Sequence, residues 1–227
     1  MGMYLGKEKV APVIKEKVPS MKAFFEAGGK CAYSIATTFE GCWNYEDSSN
    51  MTSMNKMFYY CQRLATVPAL DTSNVTSMSG MFDSCPELTT IPALDTSNVT
   101  SMSGMFYSCS KLTAIPALDT SNVTSMNRMF YACSKLTAIP ALDTSNVTSM
   151  NDMFYACSSL TEIHMTNIGE NLGISASTKF TREALLEIIG NLRAVTSAKT
   201  LTMGATNLAK LTDEDKKIAT DKGWTLE

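Results

Sequence analysis

The sequence predicts an α/β solenoid: a right-handed coil with a short-stranded parallel sheet along one side, short helical turns along the other, and distinct N- and C-terminal caps. Three observations carry that expectation. The octet DTSNVTSM begins at Asp71, Asp95, Asp119 and Asp143, each copy 24 residues after the last, and a degenerate copy, DSSNMTSM, begins at Asp47 in the same register. The apolar letters repeat as strictly: Val75, Met78, Met81, Phe82, Cys85, Leu88, Ile91 and Leu94 return as Val99, Met102, Met105, Phe106, Cys109, Leu112, Ile115 and Leu118, and again from Val123 to Leu142. The pattern dissolves after Ile163. Self-similarity at such a period means that each unit covers its apolar face only with its neighbours.

The chain divides into an N-terminal segment and capping coil (1–46), five 24-residue repeats (47–166) and a C-terminal α/β cap continuing the sheet (167–227). In the first part, Tyr4 to Ile14 reads as extended. Pro19-Ser20 opens a short helix, MKAFFEA, which Gly28-Gly29 stops. Phe39-x-x-Cys42 echoes a repeat, so 31–46 reads as a truncated coil over the open end of the stack, where an uncovered rung would present a bare sheet edge.

Within a repeat, Val75, Met78, Met81, Phe82 and Cys85 are spaced 3, 3, 1 and 3 apart, the spacing of one helical face. Asp71, Ser73 and Asn74 are turn and cap residues. Leu88-x-x-Ile91 reads as a short strand ended by Pro92, which has no N–H for a ladder. A strand and a helical turn alternating every 24 residues make a leucine-rich-repeat-type coil. Five rungs about 4.8 Å apart give a rod of roughly 24 Å.

The order L-x-x-I-P…V-x-x-M-x-x-M-F-x-x-C-x-x-L resembles the BspA-like leucine-rich repeats, in particular their Met-rich DTSNVTxMxxMFxxC version, over about Asp47 to Ile163. That version is common in surface proteins of gut bacteria and mycoplasmas and in proteins of their phages. The resemblance implies adhesion or partner binding, with no catalytic residues to carry over.

In the third part, Thr181 caps a helix, REALLEIIGNLR, with Leu185, Ile188, Ile189 and Leu192 on its apolar face. KTLTM (199–203) reads as a strand. Thr212-Asp213-Glu214-Asp215 opens a second helix with acids at its positive end, Gly223 ends it, and Trp224-Thr225-Leu226 reads as a last strand. The segment from Lys199 to the end is similar to endings on repeat proteins of phage tails and prophages of gut Firmicutes.

Composition narrows the function classes. A net charge of −3 gives no footprint for nucleic acid or an anionic membrane. No apolar run is long enough to span a membrane, and the first twenty residues lack the apolar centre of a secretory signal. Seven cysteines leave one unpaired in any disulfide scheme. Five of them (Cys61, Cys85, Cys109, Cys133, Cys157) form a ladder whose side chains point the same way, so they read as buried free thiols of a protein assembled in a reducing compartment. Ten of the sixteen methionines form two ladders beside the Phe ladder and read as core, not copper ligands. With one histidine, His164, and no C-x-x-C, no metal site or cofactor is expected. The N-V-T triplets match glycosylation sequons, but Asn74, Asn98, Asn122 and Asn146 read as residues that tie down the turns. No nucleophile–base pair, phosphate loop or H-E-x-x-H is present, so no enzymatic activity is expected.

A binding surface must lie where the copies differ. The drifting places follow the first helical Met (Asn55-Lys56, Ser79-Gly80, Ser103-Gly104, Asn127-Arg128, Asn151-Asp152), the Phe, and the Cys. Tyr59, Tyr107, Tyr131 and Tyr155 share one register, an expected stripe of exposed phenols suited to protein or sugar contact. With Lys56 and Arg128 they are the candidate ligand-binding residues. The strand face offers Thr66, Thr90, Thr113, Thr137 and Thr161 or their neighbours. The expected partner is a protein or glycan on a cell surface, together with other virion proteins through the N-terminal segment; neither nucleic acid nor membrane insertion is expected. The expected role is a phage or prophage tail-associated virion protein, with a bacterial cell-surface adhesin or a structural spacer as alternatives.

Overall fold

The structure, a computed structural model, describes residues 4–5, 8–9, 48–67 and 69–227. The predicted capping coil, the MKAFFEA helix, Asp47, Cys31 and Cys42 lie outside the described residues. Within the segment predicted as extended, Tyr4–Leu5 (β1) and Glu8–Lys9 (β2) pair antiparallel.

The repeats stack as predicted, but no repeat contains a helix. Each runs instead through a string of tight turns. In the second repeat the amides of Met81 and Asp83 return to the carbonyls of Met78 and Gly80 at 3.1 and 3.0 Å. The amides between them, of Met78, Gly80, Phe82 and Ser84, leave the coil and donate to the carbonyls of Ser101, Ser103, Met105 and Tyr107 at 2.8–3.0 Å. The same four bonds join each of the four repeat junctions. A helix would spend every amide within its own coil. A stack cannot do so, because buried backbone groups at the rung edges must also be paired.

The alternation is made by left-handed residues at two places per repeat. Lys56, Gly80, Gly104, Arg128 and Asp152 occupy the first, and Tyr60, Ser84, Ser108, Ala132 and Ala156 the second, all with φ between 54° and 63°. Two of the ten are glycine, the residue for which this conformation carries no steric cost.

The predicted burial holds despite the different backbone, with Ile115 only partly buried. Val75, Met78, Met81, Phe82 and Cys85 are each completely buried, as are their third- and fourth-repeat equivalents. Phe58, Phe82, Phe106, Phe130 and Phe154 stack nearly parallel with centroids 5.2–5.8 Å apart. Both Met ladders lie in the same core.

The octet joins coil to coil. The Asp71 carboxylate accepts from the amide and hydroxyl of Ser73 (3.1 and 2.7 Å), closing the turn. The Thr72 hydroxyl donates forward to the Asp95 carbonyl at 2.9 Å. The Asn74 side chain donates back to the Ser49 carbonyl at 2.8 Å, and Asn98, Asn122 and Asn146 make the equivalent bonds. Ser53, Ser77, Ser101, Ser125 and Ser149 form single parallel bridges in sequence.

The sheet is shorter than the repeat pattern implies. Full strands form only at Ala138–Asp143 (β3) and Glu162–Thr166 (β4), which pair in parallel. The prediction that the strand ends at its proline fails at Pro140, which lies inside β3. There Pro140 and Ala141 oppose His164 alone, between the pairs Ile139–Ile163 and Leu142–Met165. A bulge is a place where a strand tolerates a residue without an N–H.

The cap follows its predicted order. Thr181 accepts from the Ala184 amide and opens Arg182–Gly190 (α1), which buries Leu185, Ile188 and Ile189. Leu192, predicted on that helix, lies beyond it and bridges to Ile168. Lys199–Thr202 (β6), Asp213–Thr220 (α3) and Trp224–Leu226 (β7) complete the pattern, and a short helix, Ala205–Leu208 (α2), is not among the predicted elements. Leu172–Gly173 (β5), β6 and β7 form a parallel sheet of their own and do not prolong β3–β4 as expected. Gly173 follows Ser149 by the repeat length, so the new sheet begins where the serine bridges end. Arg182 grips Asp215 with two bonds of 2.8 and 2.6 Å, fastening α1 to the capping box of α3.

Candidate functional site

Of the predicted tyrosines, three come together. Tyr107, Tyr131 and Tyr155 lie face on face, with centroids 4.6 Å apart at both steps and planes 10° and 16° from parallel. Their broad faces cover one another, so solvent reaches ring edges and hydroxyls. Tyr155 ends the stack and is 56% exposed. Tyr59 is separate, because Asp83 occupies this register in the intervening coil. It lies against Tyr60 at 6.1 Å, under the Lys56 ammonium at 5.4 Å from its centroid. Arg128 does not stand free either: its Nε meets the Asp152 carboxylate of the next coil at 3.2 Å. The predicted six residues therefore form two groups on the turn face: Lys56–Tyr59 at one end, and the tyrosine stack with Arg128 at the other.

The threonines of the strand side are less available than the sequence suggests. The hydroxyls of Thr89, Thr113, Thr137 and Thr161 each point at a carbonyl of the preceding coil, at 3.1–3.4 Å. Thr66 and Thr90 stand one residue out of that register.

Beside the last coil lies a cleft of about 640 Å³ that the sequence reading missed. One wall is Asn151, Asp152, Phe154, Tyr155 and Ala156; the other is Asn171–Gly173, Ser175, Ala176, Thr200, Thr202 and Glu227. Its origin is the turn ladder. In every earlier repeat the four forward amides meet carbonyls of the next coil. In the fifth, the amides of Met150, Asp152, Phe154 and Ala156 meet no acceptor among the described residues. The chain that would supply those acceptors turns away at Ser175–Ala176, and the Ser177 hydroxyl donates to the Cys157 carbonyl instead. These amides line an open cleft, so this edge of the ladder has no protein partner among the described residues. The legible signal was the loss of the repeat after Ile163.

The remaining titratable groups are structural. The Cys85, Cys109, Cys133 and Cys157 thiols each donate to a Phe carbonyl of the preceding coil at 2.9–3.1 Å. Burial pushes the Cys109 and Cys133 thiols well up and that of Cys157 to about 12, far from the thiolate that reaction or metal binding needs. His164 pairs with Glu187 at 2.7 Å, which raises its affinity for a proton. Among the described residues no group of His, Cys, Asp and Glu side chains is gathered as a metal site, and no helix is long and apolar enough to cross a membrane.

A family model described as "Mycoplasma protein of unknown function, DUF285" matches residues 20–114 and 86–171. No curated protein matches. Among solved structures, a leucine-rich repeat protein of T. pallidum (TpLRR) superposes with a TM-score of 0.52 at 19% identity, covering 76% of this chain and 77% of that one. The fold is therefore that of a leucine-rich-repeat solenoid, in agreement with the BspA-like resemblance of the repeats.

Proposed function

The chain belongs to the DUF285 family, and from that premise we propose that it is a non-enzymatic binding module that holds a protein or glycan of a cell surface against its turn face. The observation that carries this reading is the stack of Tyr107, Tyr131 and Tyr155. It sets three rings in a row with centroids 4.6 Å apart, presenting their edges and hydroxyls. Aromatic groups that combine apolar area with a polar tip are the usual anchors of recognition surfaces. The copies differ from one another on this face while their core letters stay fixed.

In its finer form the module is tail-associated in a phage or prophage and contacts the host cell. The support is the likeness of the segment after Lys199 to phage-tail repeat proteins, together with buried thiols suited to assembly in a reducing cytoplasm. The resemblance of the repeats to a Met-rich version common in surface proteins of gut bacteria and mycoplasmas favours a second reading, an adhesin displayed on a bacterial cell. Mass spectrometry of purified particles, set against protease shaving of intact cells, separates the two.

The site itself is tested by binding of the purified chain to bacterial cells and to a glycan array. Substituting Tyr107, Tyr131 and Tyr155 by Ser is expected to abolish binding with the fold intact by circular dichroism. Undiminished binding by that variant overturns the assignment.

A further inference from the structure

The four repeat junctions show what fits the edge left open in the fifth coil. At each, alternate amides of one coil receive alternate carbonyls of the next: Ser149, Asn151, Met153 and Tyr155 serve those of Met126, Arg128, Phe130 and Ala132. The coil that presents them is itself a string of tight turns, left-handed at Asp152 and Ala156, so the segment that fits such an edge is turned in the same way.

We propose that the cleft beside the last coil docks a peptide segment of a partner protein, folded through the same tandem turns, as a sixth rung, its carbonyls on the amides of Asp152, Phe154 and Ala156 and an aromatic side chain against the free face of Tyr155. Three observations favour this occupant. The edge leaves a row of amides open, at Met150, Asp152, Phe154 and Ala156, which calls for a row of acceptors. The wall carries the acidic Asp152 and Glu227 and no Lys or Arg, which selects neutral carbonyls over phosphate or carboxylate. Tyr155 stacks on Tyr131 on one side alone, so the aromatic ladder also ends at this seat. Addition of a rung to an open edge, like addition of a strand to a sheet, gains main-chain hydrogen bonds and takes its specificity from side-chain contacts. The seat shares Tyr155 with the surface proposed above but does not use Tyr107 or Tyr131, so variants at those two tell the sites apart.

The experiment uses the full chain and a peptide with the sequence of residues 146–157, the segment that fills the preceding seat. Amide exchange is followed by NMR, with and without the peptide. In the free protein the amides of Asp152, Phe154 and Ala156 should exchange at least about tenfold faster than those of Arg128, Phe130 and Ala132, and should slow by a similar factor at saturating peptide. Ala176→Trp, which fills the cleft, should abolish the protection, and Tyr155→Ser should weaken peptide binding by roughly fivefold. Tyr107→Ser should leave it unchanged, which separates this seat from the tyrosine surface. If Ala176→Trp fails to fold, Tyr155→Ser decides. The proposal is overturned if the peptide leaves those amides unprotected, if a scrambled peptide protects them equally, if protection survives in folded Ala176→Trp, or if soluble oligosaccharides protect them where the peptide does not.

Discussion

The Cys133 thiol donates to the Phe106 carbonyl of the preceding coil at 3.0 Å, and the same carbonyl accepts the Cys109 amide of its own coil at 3.1 Å. Cys85 and Cys157 repeat the arrangement on the Phe58 and Phe130 carbonyls. A side chain at this place must be small, apolar and able to donate one hydrogen bond, which is the chemistry of an uncharged thiol.

This relationship makes the ladder unreactive. In the folded protein Cys85, Cys109, Cys133 and Cys157 should resist iodoacetamide at pH 8, and should label completely in denaturant, as peptide mass spectrometry reads out. Rapid labelling of Cys133 under native conditions would show an accessible thiolate that burial at this place forbids.

The aromatic ladders differ in depth, and stability should reveal it. Phe106→Ala removes a completely buried ring from between Phe82 and Phe130 and should cost about 3–5 kcal/mol. Tyr131→Ala removes a half-buried ring from the outer stack and should cost about 0.5–1.5 kcal/mol. Urea melts of the two variants measure the difference; equal losses would mean that Phe106 is not core.

Acid should loosen the turns. Hydrogen bonds from the hydroxyls of Ser73, Ser97 and Ser121 hold the carboxyls of Asp71, Asp95 and Asp119 below their ordinary value of 3.8, and a bond from Asn167 does so for Asp143. A depressed folded value contributes stability that is present above the unfolded value and is lost as pH falls through the folded one. Thermal melts should therefore show stability falling as pH drops below about 4. Replacing all four by Asn should flatten the profile in that window, and an unchanged slope would assign the acid sensitivity to other groups.

The cap has a position where both backbone angle and space require glycine. Gly223 has φ of 86°, and an added Cβ would stand 2.5 Å from the Val195 carbonyl oxygen. Gly223→Ala should destabilise the cap by roughly 1–3 kcal/mol. Hydrogen exchange should place the loss in β6, β7 and α3, with the repeats unaffected; loss spread evenly over the repeats would show that cap and array unfold as one unit.

The burial of every repeat was legible in the sequence, because the positions of Val75, Met78, Met81, Phe82 and Cys85 depend only on which side of the chain faces inward. The helix inferred from them was wrong for the same reason: tandem turns return the chain to one face at nearly the helical spacing. Gly80 and Gly104, in one register with Asp152, were the mark of a left-handed place that a helix interior would not favour. The starts at Thr181 and Thr212 were readable since capping is chemistry between near neighbours. The grip of Arg182 on Asp215 joins residues far apart in sequence, and the cleft arises from acceptors that the sixth coil does not supply; neither leaves a local pattern. Tyr59, Tyr107, Tyr131 and Tyr155 were read as one stripe, and Asp83 divides it.

The forward bonds from Thr72, the backward bonds from Asn74 and the amide ladder connect like letters of successive copies at a constant offset. Removing or inserting 24 residues at a junction would therefore restore every bond across the splice. Near-identical copies in a gene invite unequal recombination, and this backbone would accept its products. The length of the rod is then a heritable variable that can change in one step, while the surface of each remaining coil drifts one residue at a time.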